Sequence, residues 1–345
     1  MEPVDREEMM KRWRSALVLA ALTAGVVVSA AARDTLDIYF IDVEGGQSTL
    51  VATPAGESLL IDTGYAGFGD RDATRVMDAV HDAGLTRIDT LLITHFHGDH
   101  DGGAPALARR IPIRTFVDYG SPRETAETTV APYQAYAAAR GRGVQVQPKP
   151  GDRLPFSGVT VDVVSAGGAL LSKPLEGAGQ PNPACASFAA RADDPSENAR
   201  SLGVRVTFGA FRFLDLGDLN WNPLGRLACP TNLIGPVDLY LVPHHTNSDS
   251  NVPAFLAAVH PRVVVSNNGA AKGGAADALA SLHGLGVDVW QLHASRAEGA
   301  QNSDPALIAN DDDGATSHWI KVRAGADGRF TVTNHRTGAT KAYGK

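Results

Sequence analysis

The sequence predicts an α/β fold, a four-layer αββα sandwich with its functional residues along one edge. Three observations carry this. Short apolar runs bounded by turn residues recur along the chain and read as strands. Stretches with apolar residues at helical spacing lie between many of them. The later half also echoes the earlier one, with strands ending in polar clusters at matching places. Two β-rich halves set face to face, with helices outside, would bury every one of these faces.

In chain order, residues 1–32 stand apart as a secretory signal peptide. Lys11-Arg12-Trp13-Arg14 is a positive start, 15–28 is an apolar run, and Ala30-Ala31-Ala32 offers small residues for cleavage. The acidic 2–8 prefix is unusual for such a peptide, and Met9 or Met10 would give a conventional start. The apolar run is short for a membrane span. The expected product is one domain, 33–345, periplasmic or secreted, with no stable membrane association after cleavage. Cys185 and Cys229 could pair in an oxidising compartment, but sequence separation leaves that open.

Strands are expected at 37–43, 47–53 and 58–64, then a helix at 71–83 on the spacing of Ala73, Val76, Met77 and Val80. A strand at 88–93 follows, then a helix at 102–110, a strand at 111–117, a helix at 131–140 and a strand at 159–165. Residues 166–200 are rich in Gly, Pro, Ala and Ser and read as a long loop or lid. Strands at 202–208, 211–216 and 237–243 come next. Helices at 253–259 and 275–283 alternate with strands at 262–266 and 287–293. A C-terminal extension, 296–345, holds a hairpin at 317–323 and 329–334, and 311–314 reads as a turn.

The chemistry concentrates where the 88–93 strand ends, in Thr94-His95-Phe96-His97-Gly98-Asp99-His100-Asp101-Gly102-Gly103. In extended backbone, alternate residues share a side, so His95 and His97 can face one metal ion while Phe96 packs the other way. Gly98 lets the chain bend, so that Asp99 and His100 face a second point nearby. Imidazole nitrogens and carboxylate oxygens are good zinc ligands. Two ions about 3.5–4 Å apart could share a water between them.

His95-x-His97-x-Asp99-His100 resembles the signature of the metallo-β-lactamase-fold hydrolases, and further pieces of that family follow in order over residues 37–295. The resemblance implies that Asp62, ending a buried strand, supports the metal loop through hydrogen bonds. It implies that Asp218, after an apolar strand and Gly217, bridges two metals, and that a histidine of His244-His245 completes the second site. Adjacent side chains on extended backbone diverge. His245 is therefore expected on the metal and His244 toward the substrate. The start of the domain is similar to the competence-protein branch, with Asp42-Val43 and a glycine-rich loop before Ile61-Asp62-Thr63-Gly64, although Glu44 and Thr49 depart from it. That branch also carries an Asn-x-x-Ser element where other branches have a third histidine. Here Asn198 and Ser201 match it, Asn198 as a candidate ligand and Ser201 beside it.

The implied activity is hydrolysis by a metal-activated water, with Asp99 orienting the water and taking its proton. Zn2+, one or two ions, is the expected cofactor, and more oxygen ligands would shift preference toward Mn2+. The substrate is expected to be a small molecule or phosphodiester, with Arg200 as the main cation. Lactone, β-lactam or thioester hydrolysis, or a binding protein on a decayed site, are the alternatives. A net charge of −7 gives nucleic acid no basic footprint. The chain shows no helical repeat, glycine-rich phosphate loop or serine nucleophile elbow. His293 ends its strand as ligands do but is expected to be structural. His81 is expected at the surface.

Overall fold

The computed structural model describes residues 34–141, 143–311 and 317–344. The expected signal peptide and most of the 311–314 turn lie outside them. All described residues belong to one unit, Ala31–Lys345.

The first sheet begins with β1 (Leu36–Phe40), β2 (Thr49–Ala52) and β3 (Ser58–Ile61) and continues through β4 (Ile88–Leu92), β5 (Ile113–Val117) and β6 (Val144–Val146). The second contains β7 (Arg153–Leu154), β8 (Thr160–Ala166), β9 (Ala169–Leu170), β10 (Gly203–Phe208), β11 (Phe211–Asp215), β12 (Leu239–Val242), β13 (Val263–Ser266), β14 (Asp288–His293) and β15 (Ile308–Asn310). The chain then returns to the first sheet with β16 (Ile320–Ala324), β17 (Phe330–Asn334) and β18 (Thr340–Tyr343). Strand order is β18-β17-β16-β1-β2-β3-β4-β5-β6 in one sheet and β15-β14-β13-β12-β11-β10-β8-β7 in the other, with β9 beside β8.

Side-chain alternation builds the layers. Leu36, Ile38 and Phe40 of β1 point to the inter-sheet core, where they meet Val161, Val163, Val204 and Val206. Phe40 packs edge-on to Phe213, ring centroids 5.6 Å apart. The opposite parity, Tyr39 and Ile41, packs with Val76, Ala79 and Val80 of helix α1 (Arg71–Asp82). Helices α2 (Ala104–Ala108) and α3 (Glu127–Arg140) cover the same face. On the second sheet's outer face lie α4 (Trp221–Ala228), α5 (Pro253–Val259) and α6 (Ala276–His283). The result is the expected αββα sandwich.

Two expectations need correction. Residues 296–345 are no appendage, because β16 pairs antiparallel with β1 along its full length and continues the first sheet. The 166–200 segment is not a free lid either. Leu171, Leu175 and Phe188 pack on the outer helical layer. Asn182 Nδ2 donates to the carbonyls of Ala228 and Ala254 (3.2 and 2.8 Å), and a disulfide joins Cys185 to Cys229. The apolar side chains within a glycine- and proline-rich stretch anchor it there. Only its last residues turn back to the polar edge.

Candidate metal centre

β3, β4 and β5 run parallel, as do β11, β12, β13 and β14, so their following loops gather at one edge of the sandwich. The loop after β4 is held tightly there. His100 N and Asp101 N both donate to the His97 carbonyl, and Thr63 N donates to the His100 carbonyl at 2.8 Å. A Cβ at Gly103 would stand 2.1 Å from the Thr63 carbonyl oxygen, so only glycine permits this approach. The loop after β12 makes a left-handed turn, with φ of 51°, 53° and 64° at His244, His245 and Thr246. For non-glycine residues this conformation costs on the order of 1–2 kcal/mol each. The two histidines therefore diverge by a turn, where extended backbone was expected. Their surroundings are bonded against that strain, with Gly274 N donating to the His245 carbonyl at 2.8 Å.

The side chains converge as follows. His95 Nε2 lies 3.0 Å from His97 Nδ1 and 3.8 Å from Asp218 Oδ2. Asp218 Oδ2 is also 3.3 Å from His100 Nε2 and 3.1 Å from His245 Nε2. Asp99 Oδ2 is 3.3 Å from His100 Nε2 and 3.1 Å from His245 Nε2. One donor atom from each of Asp99, His100, Asp218 and His245 thus lies within 4.8 Å of the others, the spread of ligands around a single ion. Asp218 faces both this group and the His95–His97 pair.

The outer contacts set ring orientation. Asp62 accepts from Thr94 N (2.7 Å), Thr94 Oγ1 (2.6 Å) and His100 Nδ1 (2.7 Å), which turns His100 Nε2 inward. Ser201 Oγ accepts from Asp218 N at 3.1 Å and sits 3.4 Å from His95 Nδ1. His97 Nε2 is 3.3 Å from Glu124. His244 Nδ1 is 2.8 Å from Asp249, with its Nε2 3.1 Å from Asn198 Nδ2.

A metal fits this donor set. His100 Nε2, both His245 ring nitrogens and Asp218 Oδ1 are buried and make no hydrogen bond. Buried polar atoms without partners are costly, and a cation can satisfy His100 Nε2, Asp218 Oδ1 and the His245 nitrogen that faces Asp99 and Asp218, Nε2. Burial pushes the Asp218 and Asp99 carboxyls up, but the His100 and His245 imidazoles outweigh it and hold both well below the usual range. Burial likewise pushes His100 down, yet Asp218, Asp99 and Asp62 raise it well above an ordinary histidine. Burial and the neighbouring His100 hold His95 well below. Asp62, Asp99 and Asp218 thus set three buried carboxylates around His100.

Of the expected residues, His95, His97, Asp99, His100, Asp218 and His245 come together, and Asp62 and Ser201 stand behind them. Asn198 lies against His244 with its Oδ1 unbonded. Arg200 points elsewhere, over the Tyr119 ring. The cation that reaches the centre is Lys272, which ion-pairs with Asp99 and donates to Tyr65 Oη at 3.0 Å. The sequence reading missed it, although it sits in a glycine-rich loop after a buried strand, where functional residues gather. Glu124 and Asp249 were missed too. His81 is exposed. His293, expected to be structural, is 3.3 Å from Glu44 and 3.6 Å from Asp42. That triad also has ligand-like spacing, but the Arg75 guanidinium already bonds both carboxylates.

Residues 41–180 match the sequence profile of the Metallo-beta-lactamase superfamily, a span from the end of β1 into the long loop. The chain is 36% identical over 69 residues to an atrochrysone carboxyl ACP thioesterase, dmxR1, from Cryptosporiopsis sp.. That stretch is 19% of this chain and 20% of the relative, so the chain spans about a fifth of that relative's length. Among solved structures it is similar to the metallo-beta-lactamase fold protein YhfI from Bacillus subtilis, at 10% identity and a TM-score of 0.47, covering 75% of this chain and 96% of that one. It is also similar to Zn(2+)-bound PqqB from Methylobacterium extorquens, at 13% identity and a TM-score of 0.44, covering 74% and 97%. The profile match over residues 41–180 and the observed layers agree with a metallo-β-lactamase fold. They do not confirm the competence-protein branch.

Proposed function

We propose that this metallo-β-lactamase-fold chain is an exported metal-dependent hydrolase acting on a phosphodiester or phosphoester. The observation that carries the reading is Asp218, whose one carboxylate faces His95, His100 and His245 together. His95, His97 and Asp218 would hold one ion, while Asn198, expected as a further ligand, lies against His244. Asp99, His100, Asp218 and His245 would hold a second. Zn2+ suits the imidazole-rich set, and Mn2+ is the alternative because carboxylates supply much of the rest. Bound there, the metal supplies Lewis acidity and lowers the pKa of a water.

The chain's own groups do the rest. Asp99 is placed to hold and take the proton of that water. Asp62 fixes the His100 tautomer, and Ser201 fixes His95 and the Asp218 backbone. His244, partly exposed and oriented by Asp249, faces the substrate side and is placed to give a proton to the leaving oxygen. Lys272 offers positive charge to an anionic substrate.

A second reading, thioester hydrolysis, is favoured by the thioesterase relative. The lactone and β-lactam alternatives belong to the same acyl-transfer class. Two observations support export. Residues 1–32 have the signal-peptide layout, and the Cys185–Cys229 disulfide is of a kind that persists in oxidising compartments. Among the described residues no helix is long and apolar enough to cross a membrane.

The test uses residues 33–345 with Zn2+ or Mn2+, assayed on bis(p-nitrophenyl) phosphate, an acyl thioester, a lactone and nitrocefin. Metal-dependent diester turnover lost in Asp99→Ala is the expected result. Turnover of the acyl substrates alone would replace it with the second reading. No turnover on any substrate would leave a binding protein.

A further inference from the structure

Resting on that reading, we propose that an arginine-lined cavity beside the Asn198 turn binds a second anionic group of the substrate, a phosphate or carboxylate next to the scissile ester. The cavity measures about 280 Å³ and is lined by Arg123, Arg200, Arg226, Asp193, Asp194 and Ser196, among others. Three guanidiniums stand there against two carboxylates, Asp193 and Asp194, a small positive excess in a chain of net charge −7.

The acids there bond mainly to neutral donors, apart from the Arg200–Glu197 pair. Asp194 Oδ1 accepts from Ser196 N (2.8 Å) and its Oδ2 from Ser196 Oγ (2.7 Å) and Asn220. Asp193 Oδ1 accepts from Asn222 Nδ2 at 2.8 Å. Glu197 is buried, with its carboxylate taken by Tyr119 Oη and the backbone N–H groups of Arg123 and Glu124. Arg123 and Arg226 form no ion pair among the described residues. Arg200 lies 5.2 Å over the Tyr119 ring and ion-pairs with Glu197 through its Nε at 3.5 Å. The guanidinium forks of Arg123 and Arg226 stay available, the arrangement that captures an oxyanion.

The cavity is wired to the metal centre. Residues 196–201 form one short turn. Ser196, Ala199 and Arg200 line the cavity, while Asn198 contacts His244 and Ser201 contacts His95. On the other wall, Glu124 follows Arg123, touches His97 and accepts from Glu197 N at 3.0 Å. A substrate anchored on the arginines is thereby held next to the residues that face the reacting bond. Simple solvation of three surface arginines is the competing explanation, and it predicts no saturable anion binding.

The full chain is titrated calorimetrically with inorganic phosphate, and separately with succinate, in the presence of chelator so that no metal competes. The variant Arg123→Gln/Arg226→Gln changes two exposed side chains, and Arg153→Gln on β7 serves as the control. Saturable binding weakened at least about tenfold in the double variant, and kept in the control, is expected. Preference between the two probes assigns the group as phosphate or carboxylate. Absence of binding, or equal binding by the double variant, overturns the proposal. In metal-loaded protein, KM is compared for an ester with and without a terminal phosphate. The wild type should favour the charged ester and the double variant should lose that preference. If neither ester turns over, the hydrolase reading fails, while the titration still decides the cavity.

Discussion

Substituting Asp62 tests how the fold prepares the metal centre. Asp62 is fully buried at φ 61°, a left-handed position that asparagine tolerates far better than alanine. Its carboxylate accepts from Thr94 N, Thr94 Oγ1 and His100 Nδ1. In Asp62→Asn the amide oxygen can keep Thr94 N, but the amide nitrogen then donates toward His100 Nδ1. His100 must move its proton to Nε2, the atom that faces Asp99 and Asp218. Two hydrogen bonds to a charged acceptor are worth about 1.5–3 kcal/mol each. Removing a buried carboxylate, whose pKa burial raises, returns part of this. The net loss should be about 1–3 kcal/mol in chelated protein, read from urea unfolding. Zinc affinity, read by competition with a chromophoric chelator, should fall about 10–100-fold. Asp62→Ala should lose more stability, because the backbone strain is added. Wild-type zinc affinity in Asp62→Asn would refute the claim that Asp62 sets the His100 tautomer.

Lys272→Gln removes the cation from Asp99 and Tyr65, and should raise KM for an anionic diester about tenfold while changing urea stability by under about 1 kcal/mol; steady-state kinetics check it. Glu44 is held down to about 2 by its bond to His293, against burial, and by Arg75. A lowered folded pKa means that its contribution is fully present above the ordinary 4.5 and is lost as pH falls toward about 2. The stability advantage of wild type over Glu44→Gln should therefore close across that window in acid-unfolding curves. The disulfide closes a loop of sequence separation 44. Cys185→Ser/Cys229→Ser should cost about 2–4 kcal/mol by loop entropy, measured by chemical unfolding.

Much of the site was legible because its ligands stand at strand ends, where a break in apolar pattern marks them. His95, His97, Asp99 and His100 lie in one loop, and Asp62, Asp218 and His245 each follow an apolar strand. The strands and helices were read largely in place because the alternating and helical periods are strong. What escaped depends on long-range contact. Lys272 meets Asp99 across a separation of 173 residues, and no local spacing signals it. Glu124 and Asp249 follow their histidines, 27 and 5 residues on, in polar loops without a pattern. The pairing of β16 with β1 was invisible for the same reason, since a hairpin's own alternation says nothing about its neighbour. The long loop misled through its composition: scattered Leu171, Leu175 and Phe188 are enough to fasten it to the outer helices.

The most direct test of the account is the metal content of the purified chain, by inductively coupled plasma mass spectrometry, for wild type and Asp218→Ala prepared without chelator. If Asp218 faces both groups of ligands as the geometry implies, wild type should carry one to two zinc or manganese ions per chain, and the variant should lose most of them while remaining folded. Equal metal content in the two proteins, or a folded wild type that takes up neither ion when supplied, would contradict it.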